Sequence, residues 1–242
     1  MMDKDFFMTK VFAHRGYSAK YPENTMLAFE KAIEAGCDGI ELDVQLSADG
    51  EMVVIHDEDV RRTTNGSGMV ADLTLAELRA LDAGEGEKIP LLSEYFGLAA
   101  GFDIITNVEL KNDLVDYIGL EEKVVALVHE RGLSERVIIS SFNLKSVDKV
   151  KRLAPAIPCG YLFASPDTPD PDTPDWESVV ESMRAGGVEF IHPGADMVDE
   201  DFLEVVRRRG VPFGVWTVND AAFMRRLIDA GAYSVFTDDP LL

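Results

Sequence analysis

One short stretch, residues 39–46, limits what the chain can fold into more than any other. It reads Gly-Ile-Glu-Leu-Asp-Val-Gln-Leu, so a β-strand of this pattern places the carboxylates of Glu41 and Asp43 on one face. The stretch lies in a chain that keeps alternating strand and helix, and strands in such chains are usually buried on both faces. Two buried anions on one face repel each other, so they predict a compensating divalent cation or a cluster of basic side chains.

The size and charge of the chain narrow its class. Its 242 residues are 46% hydrophobic and 28% charged, enough to bury a large core, and residues 1–242 are expected to form one domain. Forty-four acidic against 23 basic residues give a net charge of −21, which repels polynucleotides and anionic membrane surfaces at long range. We therefore expect no nucleic-acid partner and no stable membrane association.

Targeting features and cysteine content favour an intracellular protein. No stretch approaches the roughly 18 to 20 apolar residues of a membrane span. The N-terminus has mixed charge and only a short apolar run, unlike a signal peptide. Cys37 and Cys159 lie far apart without metal-ligand spacing, and we expect both to be small buried side chains. The sequence is therefore predicted to be cytoplasmic.

Strand-like and helix-like segments alternate along nearly the whole chain. Apolar runs bounded by turn residues predict eight strands, at 11–13, 39–46, 104–111, 137–142, 159–163, 188–192, 212–218 and 234–237. Helical periodicity predicts helices between them, at 24–36, 91–100, 119–131, 144–153, 175–185, 199–209 and 219–230. Such alternation is typical of a parallel sheet with helices packed outside it, and eight strands predict a closed TIM (β/α)8 barrel.

One region departs from this alternation. A turn at 48–51 leads into residues 52–55, which read as a strand running back along the second strand. Residues 58–90 hold a short helical pattern, 74–81, between two glycine-rich segments, and they exceed the about 2 to 6 residues of a plain strand-to-helix connection. We interpret 58–90 as a small insertion after the second strand, and 164–174 as a Pro- and Asp-rich loop.

Polar side chains collect where the predicted strands end. In a barrel of this kind the chemistry lies at the carboxyl ends of the strands. The residues placed there are His14, Arg15, Glu41, Asp43, His56, Glu109, Lys111, Ser140, Ser141, His192, Trp216, Asp238 and Asp239. Their concentration at one rim predicts an active site more strongly than any single residue does.

Short motifs in this order resemble one enzyme family. They are His14-Arg15-Gly16, Pro22-Glu23-Asn24-Thr25, Glu41-Leu42-Asp43, His56-Asp57, Glu109-Leu110-Lys111, Trp216-Thr217-Val218-Asn219 and Thr237-Asp238-Asp239-Pro240. The chain resembles the glycerophosphodiester phosphodiesterases along nearly its whole length. The resemblance implies a TIM barrel with a small insertion, a divalent metal, and hydrolysis of glycerophosphodiesters to glycerol 3-phosphate and an alcohol.

The resemblance also implies roles for individual residues. It assigns metal binding to Glu41, Asp43 and Glu109, acid/base catalysis to His14 and His56, phosphate binding to Arg15 and Lys111, and a pocket wall to Trp216. Carboxylate oxygens suit a hard cation, so one Ca²⁺ or Mg²⁺ is expected, with Mn²⁺ as a further candidate. Imidazoles with pKa values near 6.5 suit proton transfer near neutral pH.

Several assignments stay open at this point. Which histidine is the acid, and whether water or a glycerol hydroxyl attacks phosphorus, does not follow from sequence. His192 is expected to be structural. Asn24 or Thr25 can cap the helix that follows, with Asn24 preferred, and Asp238 with Asp239 is expected to cap a short final helix or to orient Arg15.

Two other functions compete with the leading hypothesis. One is a phospholipase D-like relative acting on choline lipids. The sequence disfavours it, because we find no signal peptide, no paired cysteines and no exposed apolar anchor. The other is a non-catalytic sensor of a phosphorylated ligand, which would not require both His14 and His56.

Overall fold

A computed structural model describes residues 8–164 and 174–242. Residues 1–7 and 165–173 lie outside the described part, and with them most of the N-terminal stretch and of the predicted 164–174 loop. The strands are β1 Lys10–His14, β2 Gly39–Leu46, β3 Met52–Val54, β4 Ile105–Leu110, β5 Val137–Ser141, β6 Cys159–Phe163, β7 Phe190–Pro193, β8 Gly214–Val215 and β9 Ser234–Thr237. The helices are α1 Met26–Ala35, α2 Leu75–Ala80, α3 Leu92–Ala99, α4 Leu120–Glu130, α5 Leu144–Leu153, α6 Trp176–Gly186, α7 Glu200–Arg209 and α8 Ala221–Asp229.

Eight parallel strands form the barrel, in the order β7-β6-β5-β4-β2-β1-β9-β8. The two ends of this row meet through isolated bridges, which join Ile191 to Phe213 and Gly194 to Trp216. Strand β3 pairs antiparallel with β2 beside the ring, as the turn at 48–51 predicts. The structure therefore confirms the predicted TIM barrel with an insertion after its second strand.

The predicted strand at 212–218 is shorter in the structure. Only Gly214 and Val215 form a ladder with β9. Pro212 has no N–H to donate to such a ladder, and Trp216 makes its parallel bridge to the other side, toward β7. The barrel is therefore joined at this point by single bridges rather than by a continuous ladder.

The two faces of β2 point into different environments. Ile40, Leu42 and Val44 are fully buried in the large apolar core that also contains side chains of α1 and α3. The alternate residues Glu41 and Asp43 face the barrel interior. The strand is thus buried on both faces, as its place in an alternating chain predicts.

An apolar layer fills the lower part of the barrel interior, beneath the carboxylates. Phe12, Ile138, Phe190 and Phe236 form it, and the rings of Phe12 and Phe236 lie 5.1 Å apart, centroid to centroid. Gly39 leaves the space for this layer, because a Cβ there would lie 2.6 Å from the Phe12 ring. The layer gives the polar residues above it a solid floor.

The insertion has a small apolar core of its own. Its members are Val60, Val70, Leu78, Ala83 and Ile89, which pack on Val53 and Ile55 of the β3 segment. Helix α2 within it begins with a capping box, in which Thr74 accepts from the Glu77 N–H and the Glu77 side chain accepts from the Thr74 N–H. These contacts hold the insertion in a defined shape against β3.

None of the helices in residues 8–164 and 174–242 is both long enough and apolar enough to cross a membrane.

His192 lies in the barrel interior and is fully buried. Neither of its ring nitrogens has a hydrogen-bond partner among the described residues, and a Cβ at Gly160 would lie 2.8 Å from its Cε1. Burial lowers the pKa of His192 to about 3, so the ring is neutral in the folded protein. It packs as a structural side chain.

His192 should make folding stability depend on pH. In the unfolded chain the ring binds a proton near pH 6.5, so the free energy of unfolding falls by about 1.4 kcal/mol per pH unit below that value, until the folded pKa is reached. Between about pH 7 and pH 5, urea titrations should show the wild type losing about 2 kcal/mol more than His192→Gln. Parallel pH profiles of the two proteins would contradict the buried neutral ring.

Candidate active site

The carboxyl ends of the strands surround one cavity of about 420 Å³. The predicted site residues that line it are His14, Arg15, Glu41, His56, Glu109, Lys111 and Trp216. Asp43 lies beneath this lining and is fully buried. The structure thus brings the residues with predicted catalytic, metal-binding or substrate-binding roles to one end of the barrel. His192, also predicted at a strand end, instead packs lower in the interior against Phe190 and Phe236.

Glu41, Asp43 and Glu109 form a buried acidic triad. Strand register pairs Asp43 with Glu109, and Glu41 precedes Asp43 by two residues on the same face. One carboxylate oxygen from each residue lies within 4.8 Å of the other two, and Asp43 Oδ1 has no hydrogen-bond partner among the described residues. An unpartnered buried oxygen within a set of oxygen donors fits a hard divalent cation.

The three carboxyl groups of the triad differ in the direction in which their surroundings shift the pKa. Burial, followed by the charges of Asp43 and Glu109, raises the pKa of Glu41 well above its usual value. Burial also raises the pKa of Glu109 to about 7, with Lys111 opposing the rise and Asp43 adding to it. Burial opposes ionisation of Asp43 too, yet nearby His56, Arg15 and Lys111 hold its pKa below the usual range. A bound cation would displace the protons that the triad otherwise keeps.

Arg15 lies in the turn that follows β1. Its φ is +58°, in the left-handed region, and this turn lets its backbone N–H donate to Glu41 Oε2 at 3.0 Å. Its guanidinium donates to Glu23 Oε1 at 2.9 Å, and its Nε lies 3.6 Å from Asp43 Oδ2. The side chain is therefore held beside the triad by carboxylates on two sides.

His14 ends β1 and is held by a carboxylate from the opposite end of the chain. Its Nδ1 lies 2.7 Å from Asp238 Oδ1. Although burial opposes it, hydrogen bonds from His14, Asn219 and Ser18 lower the pKa of Asp238 to about 2, so this carboxylate only accepts. Nδ1 therefore carries the proton, and Nε2, 4.0 Å from Glu41 Oε2, is the free nitrogen on the triad side.

His56 follows β3 and is held in the same manner. Its Nδ1 lies 2.6 Å from Asp57 Oδ1, and its Nε2 lies 3.2 Å from Lys111 Nζ. Lys111 also donates to Glu109 Oε1 at 2.9 Å. The side chain of Gln45, the last polar residue of the β2 pattern, donates to the carbonyls of Ile55, His56 and Asp57 and fixes this turn.

The structure decides between alternatives for two sets of polar residues near the site. Thr25 caps α1 by accepting from the Ala28 N–H, whereas the Asn24 amide donates to Asp43 Oδ2 at 2.8 Å. Within the described residues Asp238 holds His14 and forms no hydrogen bond or ion pair with Arg15, whereas Asp239 Oδ1 accepts from the Leu241 N–H at 3.1 Å in the final turn. Asparagine is common at helix N-caps, where its side-chain oxygen accepts a hydrogen bond, but its amide nitrogen can equally donate to a carboxylate. The sequence alone does not distinguish these two uses of Asn24.

Sequence reasoning also missed Asp57 and Asn107. Asp57 holds His56, and the adjacency of the two residues was the available signal. Asn107 lines the cavity and donates to Ser140 Oγ at 2.8 Å, and its position two residues before Glu109 places it on the same face of β4.

Aromatic side chains form the remaining wall of the cavity. The strand order places β8, and Trp216 beyond it, across the ring from β4. Trp216 donates its indole N–H to the His192 carbonyl at 2.9 Å, and its ring meets Phe142 edge-on with centroids 5.5 Å apart. A fixed apolar wall thus faces the carboxylates, as in a pocket that holds a ligand with one charged end.

A β/α barrel with this set of carboxylates, histidines and bases at its strand ends has the architecture of a barrel phosphodiesterase. A sequence model described as the glycerophosphoryl diester phosphodiesterase family matches residues 14–242. The chain belongs to this family, which confirms the resemblance seen in its motifs and places it among the phosphoric diester hydrolases.

Individual relatives agree with the family assignment. A curated glycerophosphodiester phosphodiesterase of Caldanaerobacter subterraneus is 44% identical over 239 residues, covering 96% of this chain and 95% of the relative. The solved structure of an Oleispira antarctica phosphodiesterase in complex with the product sn-glycerol-3-phosphate is 31% identical, with a TM-score of 0.82 and coverage of 97% and 95%. A glycerophosphodiester phosphodiesterase from Thermotoga maritima is 34% identical, with a TM-score of 0.77 and coverage of 96% of both chains.

The triad should respond to a divalent cation through stability as well as activity. Ca²⁺, Mg²⁺ or Mn²⁺ at about 100 times its dissociation constant should raise the free energy of unfolding by about 2.7 kcal/mol, because only the folded chain assembles the ligands. Glu41→Gln should lose this gain, yet be no less stable than the wild type in EDTA, because a neutral amide replaces a carboxyl group whose ionisation is unfavourable beside Asp43 and Glu109.

The control for this measurement is Glu30→Gln, which changes an exposed carboxylate on α1. It should keep the full response to the cation. Thermal unfolding with and without EDTA measures each case. An unchanged response in Glu41→Gln would contradict the proposed ligand set.

Proposed function

We propose that this chain hydrolyses glycerophosphodiesters such as glycerophosphocholine and glycerophosphoethanolamine to glycerol 3-phosphate and an alcohol. The reaction uses a divalent cation and acid/base catalysis by His14 and His56. One observation carries the proposal: each histidine is held at Nδ1 by a carboxylate, at 2.7 Å for His14 and 2.6 Å for His56, while both residues line the cavity beside the triad.

The relatives support the choice of substrate. The Oleispira antarctica enzyme is described in complex with the product sn-glycerol-3-phosphate, and the Caldanaerobacter relative bears the name of the proposed activity. The cavity in this chain has a charged half and an apolar half, which suits a phosphodiester carrying a small organic group.

Glu41, Asp43 and Glu109 are the residues that would hold the cation. A bound Ca²⁺, Mg²⁺ or Mn²⁺ would supply Lewis-acid polarisation of a phosphoryl oxygen and offset its negative charge. The donor set contains only carboxylate oxygens, which favours these hard cations over softer ones.

Arg15 and Lys111 bind the phosphoryl oxygens. The Arg15 guanidinium keeps Nη1 on Glu23 and Nε beside Asp43, and its Nη2 donors are offered to the substrate. Lys111 adds a compact positive charge between Glu109 and His56. Together they offset the field of a chain whose net charge is −21.

The two imidazoles divide the proton transfers. One Nε2 takes the proton from the attacking water or glycerol hydroxyl, and the other histidine gives a proton to the departing alkoxide oxygen. Asp238 and Asp57 keep each ring in one tautomer and orientation, and they stabilise the imidazolium that forms. Trp216 lines the wall against which the organic part of the substrate packs.

The proposal is tested by incubating the protein with glycerophosphocholine or glycerophosphoethanolamine and Ca²⁺, Mg²⁺ or Mn²⁺, and measuring release of glycerol 3-phosphate. EDTA should abolish the release. His14→Ala and His56→Ala should each lower kcat by about 10²–10⁴-fold, because each removes one proton transfer.

His129→Ala is the matched control, because His129 is exposed on α4, away from the cavity lining. It should keep full activity, and unfolding midpoints should show that all three variants fold. No release with any cation, or undiminished release from His14→Ala, would refute the proposed function. A cyclic phosphate that accumulates in a slow variant would identify a glycerol hydroxyl as the attacking group.

A further inference from the structure

Arg62 lies at the start of the insertion and bridges two carboxylates. Its Nε and Nη2 donate to Asp57 Oδ2 and Oδ1 at 2.6 and 3.0 Å. Its Nη1 and Nη2 donate to Glu23 Oε2 and Oε1, both at 2.7 Å. One guanidinium thus forms a two-point contact with each of two acids, which is the geometry that gives arginine its strongest ion pairs.

Each of these carboxylates also holds a residue of the site. Glu23 Oε1 accepts from Arg15 at 2.9 Å, and Asp57 Oδ1 contacts His56 Nδ1 at 2.6 Å. A continuous series of hydrogen bonds therefore runs from Arg15 through Glu23, Arg62 and Asp57 to His56. Its two ends are the proposed phosphate-binding residue and one of the proposed acid/base residues.

Arg62 itself does not reach the substrate cavity. It is absent from the cavity lining, and 47% of its side chain is exposed. Neighbouring Val60 belongs to the apolar core of the insertion, which is separate from the barrel core. Arg62 therefore belongs to the insertion by sequence, and its side chain contacts the carboxylates of Glu23 and Asp57 rather than the substrate cavity.

Removal of the Arg62 charge would leave two acids close together. Asp57 Oδ1 and Glu23 Oε1 both lie within 3.0 Å of the same nitrogen, so without Arg62 they would repel each other. The free Asp57 carboxylate could then turn away from His56, and Glu23 could shift with Arg15. Both ends of the series would lose their fixed positions.

We propose that Arg62 is a positioning residue that fixes His56 and Arg15 relative to each other, and that the insertion carries this function. The proposal rests on the proposed hydrolytic function. It requires arginine specifically, because the ammonium of a lysine cannot make two parallel contacts to each of two carboxylates.

The kinetic test compares Arg62→Gln and Arg62→Lys with the wild type, all loaded with cation. Arg62→Gln should lower kcat/KM by about 10- to 100-fold, with a fall in kcat from the His56 end and a rise in KM from the Arg15 end. Arg62→Lys should recover only part of the loss. Glu23→Gln alone should act mainly on KM, and Asp57→Asn alone mainly on kcat.

Arg61→Gln is the matched control. Arg61 is the neighbouring arginine, with 72% of its side chain exposed, and it pairs only with Asp59 among the described residues. Its kinetics should equal those of the wild type. The double variants of Arg62→Gln with Asp57→Asn and with Glu23→Gln should lose less than the product of the single losses, because the residues act in one series. Unchanged kinetics in Arg62→Gln, or fully multiplicative losses, would overturn the proposal.

A second readout needs no turnover. The chain has four histidines, so ¹⁵N-histidine labelling gives few ring signals, and His56→Gln identifies those of His56. Arg62→Gln should shift the His56 ring nitrogens toward a mixture of tautomers and leave those of His14, held by Asp238, unchanged. Unshifted His56 signals would overturn the positioning role even if the wild type is active. If Arg62→Gln shifts the His56 signals but the wild type shows no activity, the coupling between Arg62 and His56 stands and the hydrolytic function is refuted.

Discussion

The repulsion between three buried carboxylates is the constraint on which the rest of this structure depends. Glu41 and Asp43 share a face of β2, and strand register places Glu109 beside Asp43. Such a cluster is unfavourable inside a barrel unless positive charge surrounds it. The nearby Arg15 and Lys111 supply part of that charge, and the spacing of the oxygens suits a cation for the remainder.

Apolar residues and polar site residues lie at different levels of the barrel interior. The aromatic layer around Phe12 and Phe236 fills its lower part, and His192 is neutral there because burial disfavours its charged form. The carboxylates and bases occupy the upper part, where the cavity opens. This division lets the lower layer contribute rigidity while the upper residues remain accessible to a ligand.

Local pattern was enough to predict the barrel and the set of residues at its rim. Alternation along β2 is a property of neighbouring residues, and so is the helical period of α5, which was predicted at 144–153 and found as Leu144–Leu153. The partners of these residues were not predictable in the same way. Asp238 contacts His14 across 224 positions, and Asn24 reaches Asp43 rather than its own helix, because such pairs are set by the closed ring and not by sequence spacing.

The pairing of β1 with β9 brings together residues from the two ends of the chain. His14 is one of the first residues of the barrel, and the carboxylate that orients it belongs to the segment after the last strand. Contacts between residues so distant in sequence carry a large loop-closure cost and form slowly. The imidazole of His14 therefore acquires its fixed orientation only after the last strand has paired with the first, so this half of the site depends on a contact between the two ends of the chain.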